Sequence, residues 1–505
     1  MYSIGYVSHG SKPPAVALAA SAIENGVGFD DLFEDDEEDI LIVRCCTRLF
    51  RSSPAYTQQS EIATPLQERD NVRNILSLAQ EVRKEWVSKS WNDVVHAKTL
   101  QANTSISSKA KLQLSQELEQ KLQKPKRMMQ SYSSFPLRFR DEPEVLEGYI
   151  SSWGGIRIGK VLEDLDSLAG EASYKHVLGS RPTESDHEMN PIFIVTASVD
   201  RLDLLEHLRA DRNYRLNGMV IYVGSSSMEV LVTVEDVTDV KDGKSDAARA
   251  VLTGRFTMAT RNAATGKAQS IPPLQIQNSA EEQLFAQGQA HKQRKRFEAQ
   301  TSLEKVPPTS DEATLLHQLW LAEEAKKSKA ITDKSLDTES KSVYIEDTQL
   351  ASVSFMHPQQ RNVHMKIFGG YLMRSAYELA YMNAITFANG KPVKFLSLDA
   401  LSFHLPVSIG AILSLTSRIT YTSGSTPHTT EQNEQSSIAS VVVLAEVVDT
   451  KTGEKKRSNT FHFSFDFGPD AKKVLPESYR DSIAFLEGKR RVDLGNELRR
   501  ISQPA

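Results

Sequence analysis

Asn362 stands a few residues ahead of Phe368-Gly369-Gly370, and the glycine pair opens a strongly apolar stretch, YLMRSAYELAYM. Glycine in a helix interior costs about 1 kcal/mol relative to alanine. At a helix entrance the missing side chains instead let something approach the backbone. The first N–H groups of a helix have no intrahelical acceptor and carry partial positive charge. Left uncovered, they can hold an oxyanion as it develops, and one such donor is typically worth about 3–4 kcal/mol. Asn362 offers one acceptor and two donors, so it can orient a water or a carbonyl but cannot serve as a base. The plainer alternatives are a glycine turn before a core helix and an asparagine that forms a turn.

Such an arrangement still needs a group that moves a proton. Glu163, Asp164 and Asp166 stand in one apolar helical stretch, and Tyr377 and Glu378 in another. Helical spacing puts Glu163 and Glu378 opposite their apolar stripes, the usual solvated location. Asp164 and Asp166 fall on the two borders of the stripe, and periodicity does not choose between them.

The elements that must position these residues occur twice. The segment 155–174 carries Val161, Leu162, Leu165, Leu168 and Ala169 at helical spacing, and strand-like runs follow at 191–200, 218–226, 228–237 and 248–262. After a charged, strandless stretch the order returns. A helix over 370–389, closed by Asn389-Gly390, precedes runs at 395–407, 411–422, 437–449 and 456–467. Helix first and strands after, repeated, is an internal duplication. The strands alternate or run fully apolar, as in an antiparallel sheet with one face wrapped around a helix. Residues 1–60 form an extension that reads as disordered, 61–130 a helical flanking segment, and 131–275 the first domain. Residues 276–345 form a charged, partly disordered linker, with a helix start at Ser310 and Glu312 behind a Pro-Pro stop. The second domain covers 346–490, and 491–505 is a C-terminal tail.

The 505 residues exceed one ordinary core, and the net charge of −5 argues against a protein held to nucleic acid by general electrostatics. No apolar run reaches the roughly eighteen residues of a membrane-spanning helix. Cys45 and Cys46 are adjacent, which excludes a disulfide framework and a four-ligand metal site and points to a reducing compartment. No metal constellation and no phosphate-binding glycine loop appears, so no cofactor is expected. The stretch 43–60 contains Arg44, Arg48 and Arg51, several hydroxyl residues and no acid, which is the composition of a mitochondrial presequence. It sits behind the acidic block 30–39, so a mitochondrial location is expected, with a cytoplasmic one if the patch is only a linker.

Asn362 with the spaced FGG and its apolar helix resembles the signature of hotdog acyl-CoA thioesterases. EDLDSLAG, VTASVD and FHLPVSIG together resemble the mitochondrial acyl-coenzyme A thioesterase 9 type, over roughly residues 130–490. The resemblance implies an α+β fold, a tandem double hotdog of two curved antiparallel sheets, each wrapping a central helix. It also implies hydrolysis of fatty acyl-CoA to free acid and CoA, and a site built across the interface of two hotdog units. Laying one repeat on the other sets Asp166 opposite Tyr377 and Ser151 opposite Asn362. The carboxylate is therefore present only in the first repeat and the amide only in the second. One composite site is expected, with Asp166 as base or nucleophile, Asn362 orienting water, and the Gly370 N–H, with Gly369, holding the oxyanion. The mirror pair, Ser151 and Tyr377, should be dead.

The phosphates of CoA call for cations near the pocket mouth. Arg361, Arg157, Lys366 and the run HKQRKR (291–296) qualify, although a charge run is ordinarily a solvated helix face. His364 and His404 raise a hydratase as a rival enzyme, but neither lies in a dehydratase motif, and His404 in FHLPV reads as structural. A non-catalytic acyl-CoA binder is the alternative from another class. By analogy with related thioesterases the chain assembles as a homo-oligomer, a trimer.

Overall fold

The computed structural model describes residue 120 and residues 122–179, 192–239, 248–262, 265–332, 342–361, 366–399, 401–423, 437–469 and 471–502. The blocks 30–39 and 43–60, both cysteines, most of 61–130, Asn362 and His364 lie outside the described residues.

The first repeat begins with β1 (Ser133–Leu137), α1 (Pro143–Glu147) and α2 (Ile158–Leu178). The apolar stripe of α2 is fully buried, and Gly179 ends the helix in the left-handed region at φ 89°, its N–H donating to the Lys175 carbonyl. Then come β2 (Ile192–Val199), β3 (Leu202–Leu204), β4 (Tyr214–Val223), β5 (Ser227–Asp236) and β6 (Arg249–Asn262). The strands pair antiparallel and curve around α2. Two helices follow, α3 (Ser279–Gln300) and α4 (Ser310–Thr332), and then β7 (Ser342–Tyr344) and β8 (Leu350–Phe355). The second repeat has its central helix α5 (Gly369–Phe387), with β9 (Lys394–Leu398), β10 (Leu401–Ser402), β11 (Ile412–Thr422), β12 (Ile438–Val448) and β13 (Lys455–Asp466) around it. The short β14 (Lys473–Leu475) pairs with β7, and α6 (Tyr479–Ser502) closes the described chain.

The expected double hotdog is present, with its two sheets fused into one twelve-stranded sheet. The seam is antiparallel pairing of β3 with β9 and of β2 with β10. Matched details recur in the two halves. Ile150 bridges Ile156 as Arg361 bridges Ile367, in the turn before each central helix. β2 is bulged at Ala197, just after Thr196, and β9 at Leu396, just after Phe395.

The linker differs from expectation, because it holds two long helices, and α3 packs against the sheet. Gly288 lets it approach, since a Cβ there would stand 2.4 Å from Cβ of Tyr222. Thr309, rather than Ser310, caps α4: its hydroxyl accepts the Glu312 N–H, and the Glu312 carboxylate accepts the Thr309 N–H. Arg490 also grips that carboxylate and holds its pKa down at about 2. At the C-terminus, α6 runs through the expected 490/491 boundary and packs on β11 and β12 through Gly488.

Candidate active site

The central helices meet antiparallel along the seam. A Cβ at Gly159 would stand 3.1 Å from the Arg374 side chain, and one at Gly370 would stand 3.0 Å from the Glu163 backbone. Both glycines let the two helices approach this closely, which is a packing reason for Gly370 beside any chemical one. A Cβ on Gly369 would lie 3.2 Å from Asp166 Oδ2. The start of α5 in one repeat thus faces the carboxylate of α2 in the other.

Asp166 is 1% exposed. Thr196 on β2 donates its hydroxyl to Oδ1 at 2.7 Å, and Oδ2 makes no hydrogen bond of normal geometry. Burial raises the pKa of the carboxyl to about 6; the Thr196 hydroxyl and the Gly370 N–H oppose that rise, and the Glu163 charge adds to it. The group is poised to gain and lose a proton near neutral pH.

A cavity of about 870 Å³ opens beside it, lined by α2 from Glu163 to Tyr174, by β2, by the segment entering α5, and by Phe403–Val407. That volume lies within the usual range for a small-molecule site. Asp166, Gly369 and Arg361 all line it. The Arg361 guanidinium donates through Nη1 to the Pro358 carbonyl, while Nη2 is buried with no hydrogen-bond partner. His404, expected to be structural, lines the cavity as well.

The remaining residues fall elsewhere. Arg157 precedes α2 and is ion-paired with Glu378, outside the cavity lining. Asp164 accepts a hydrogen bond from the Tyr149 hydroxyl. Glu163, expected in solvent, is buried and paired with Arg374 at 3.0 Å, because α5 covers the face that a lone helix would leave open. Tyr377, at the mirror position of Asp166, is buried among rings, with Phe395 at 5.2 Å and Phe463 at 5.8 Å between centroids. Thr196 was not anticipated. The signal that finds it is the alignment of VTASVD with FLSLD, which sets Thr196 opposite Phe395 just as Asp166 is set opposite Tyr377.

Asp200, Glu229 and His291 bring potential metal-ligating atoms within 4.8 Å of one another. Lys295 Nζ already lies 2.8 Å from Asp200, and Arg255 lies 3.7 Å from Glu229, so side-chain cations balance the two carboxylates. His291 and Lys295 of the HKQRKR run are thereby turned onto the sheet, away from the cavity.

A helix-in-sheet unit present twice, with a cavity where the repeats join, defines a tandem hotdog. No family model matches the chain. Acyl-coenzyme A thioesterase 9, mitochondrial, of Mus musculus is 32% identical over 438 residues, 86% of this chain and 90% of that protein. The Homo sapiens protein of the same name is 32% identical over 72% of this chain and 78% of its own length. Acyl-coenzyme A thioesterase 2, chloroplastic, of Humulus lupulus is 32% identical over 71% of this chain and 79% of its own. The chain belongs to the acyl-coenzyme A thioesterase 9 family.

Proposed function

We propose that this protein hydrolyses fatty acyl-CoA to free acid and CoA at the cavity between its repeats that Asp166 lines. The observation that carries this reading is the buried Asp166 carboxylate facing the glycine-opened start of α5. The thioester carbonyl lies at that helix start, and Asp166 takes a proton from an attacking water that Asn362 orients. At rest the Gly370 N–H faces the carboxylate. When Asp166 accepts the proton its negative charge is lost, just as charge develops on the thioester oxygen. The N–H then serves the oxyanion, with Gly369 beside it. Thr196 holds Oδ1, which leaves Oδ2 as the reacting oxygen.

Arg361 and Lys366 at the cavity supply positive charge for the anionic CoA portion. The mirror position supports a single working site, because Tyr377 and Phe395 pack ring against ring where Asp166 and Thr196 form their hydrogen bond. The reading extends to a mitochondrial location, as named for the mammalian relatives. It also includes a homo-oligomer, for which the apolar outer face of edge strand β8, with Val353 and Phe355 exposed, offers a contact.

The test is release of CoA from a series of acyl-CoAs by the purified protein, by Asp166→Asn and by Asn362→Ala. Loss of turnover in both variants is expected. Near-normal turnover in either one overturns the composite site, and binding without release by the parent makes it a non-catalytic binder. In single turnover in ¹⁸O-water, label found in Asp166 would make that residue the nucleophile rather than the base.

A further inference from the structure

We propose that Gly170 determines the acyl-chain length this enzyme accepts, the chain lying along α2 from Asp166 over Gly170 toward Tyr174. The proposal rests on the acyl-CoA hydrolase reading and goes beyond it to substrate choice. Gly170 is a buried glycine in the middle of a helix of 21 residues, a position where glycine weakens the helix and therefore needs a reason. It lines the cavity, as do Asp166 one turn before it and Tyr174 one turn after it. Beyond Gly170 the Tyr174 hydroxyl accepts the Ile194 N–H at 3.2 Å, which ties α2 to β2 beside the cavity. From Asp166 to Tyr174 the helix rises about 12 Å, so the space suits an apolar chain of limited length.

The other repeat shows what happens when this lane is filled. The residue matching Gly170 is Tyr381, stacked on Tyr377 with centroids 5.9 Å apart and packed 6.2 Å from Phe465. The residue matching Thr196 is Phe395, and the one matching Met258 is Phe465, each opposite the other across its bulged strand pair. Aromatic rings therefore occupy in the second repeat the volume that Asp166, Gly170, Thr196 and Met258 leave open in the first. Of the four, Gly170 is the one with no side chain and no bond to make, so its role in the cavity is the space it leaves.

The experiment compares kcat/KM for a ladder of saturated acyl-CoAs, from acetyl to palmitoyl, in the parent, Gly170→Ala and Gly170→Leu. Gly170→Ala favours the helix, which guards against a result due only to misfolding. The expected result is a graded shift in preference. The ratio of long-chain to short-chain kcat/KM should fall about tenfold in the alanine variant and about a hundredfold or more in the leucine variant, the scale of methylene-sized changes in an apolar pocket. An equal loss at every chain length overturns the proposal, since it would place Gly170 against the CoA arm common to all the substrates. An unchanged profile overturns it too. Absence of turnover in the parent would instead defeat the hydrolase reading, so the two failures are distinct.

Discussion

Asp166 is ionised at neutral pH in a place that disfavours its charge. Its folded pKa of about 6 lies above the ordinary 3.8. The stability linked to its protonation is therefore full below 3.8 and is lost as pH rises through 6. By pH 8 the buried carboxylate costs about 3 kcal/mol, the equivalent of roughly two pKa units. Asp166→Asn removes the charge and keeps an oxygen that can accept from Thr196. In denaturant unfolding, the variant should gain on the parent between pH 4 and pH 8, by at most about 3 kcal/mol. A flat difference across that range would mean the carboxylate is not a buried titrating group. Turnover should fall about 10²–10⁴-fold in the same variant. In the parent, kcat/KM should rise with pH through an inflection near 6, and in any residual activity of the variant that inflection should vanish. A site that is less stable because it must react is the common trade at active sites.

At the scale of elements, the two glycines that open α5 separate packing from chemistry. Alanine at a helix start is ordinarily harmless, and replacing glycine by it often stabilises by about 0.4–1 kcal/mol. At Gly370 the sign should reverse: a Cβ would stand 3.0 Å from the Glu163 Cα and carbonyl oxygen, which are backbone atoms held in α2. Overpacking of that kind costs about 1–3 kcal/mol, and Gly370→Ala should melt lower by a corresponding amount. At Gly369 the Cβ meets the Asp166 carboxylate and the Phe403 ring at 3.2 and 3.3 Å. Gly369→Ala should keep most of its stability and lose activity, measured by melting and CoA release on the same sample. Both elements were legible in sequence, because the apolar stripes of α2 and α5 and the period-two strands are local patterns. Asp166 was legible only through the repeat. Glu163 was misread because a helical wheel assigns a polar face to water, and here the facing helix α5 supplies Arg374 in its place. The helical character of 279–300 was hidden by its low apolar content, since α3 meets the sheet largely through Gly288 and an ion-pair cluster rather than an apolar stripe.

For the whole molecule, the site exists only while the two repeats hold their register, and Arg201 is a polar side chain that crosses the seam between them. Arg201, between β2 and β3, pairs with Asp203 of its own repeat. It crosses the seam to the Asp399 carboxylate and to Ser397 Oγ at 2.9 Å. α6 lies over it: a Cβ on Gly495 would stand 2.5 Å from an Arg201 guanidinium nitrogen. Asp399 is buried, and burial raises its pKa while Arg201 opposes the rise. Removing the arginine takes away the larger of two guanidinium charges that oppose this rise and leaves the buried carboxylate only Arg491 and the Ser464 hydroxyl. Breaking one partner of a buried pair costs about 3–5 kcal/mol, whereas replacing both by apolar residues is often nearly neutral. Arg201→Ala should therefore unfold at markedly lower denaturant, and Asp399→Asn added to it should recover part of the loss. Arg201→Met with Asp399→Leu should be more stable than either single change. If the pair serves only stability, the apolar double variant keeps full turnover. If it also sets the register of β3 on β9, that variant remains folded yet loses CoA release, because α2 and the start of α5 no longer bring Asp166 to the N–H groups that face it. The seam is short: β3 and β9 are matched at Leu202 with Leu398 and at Asp203 with Ser397, and β2 and β10 at Val199 with Leu401 and at Ser198 with Ser402. A pairing so short is weakly specified by apolar alternation alone, so a directional polar contact is what distinguishes one register from the next. The folded but inactive outcome is therefore the expected one.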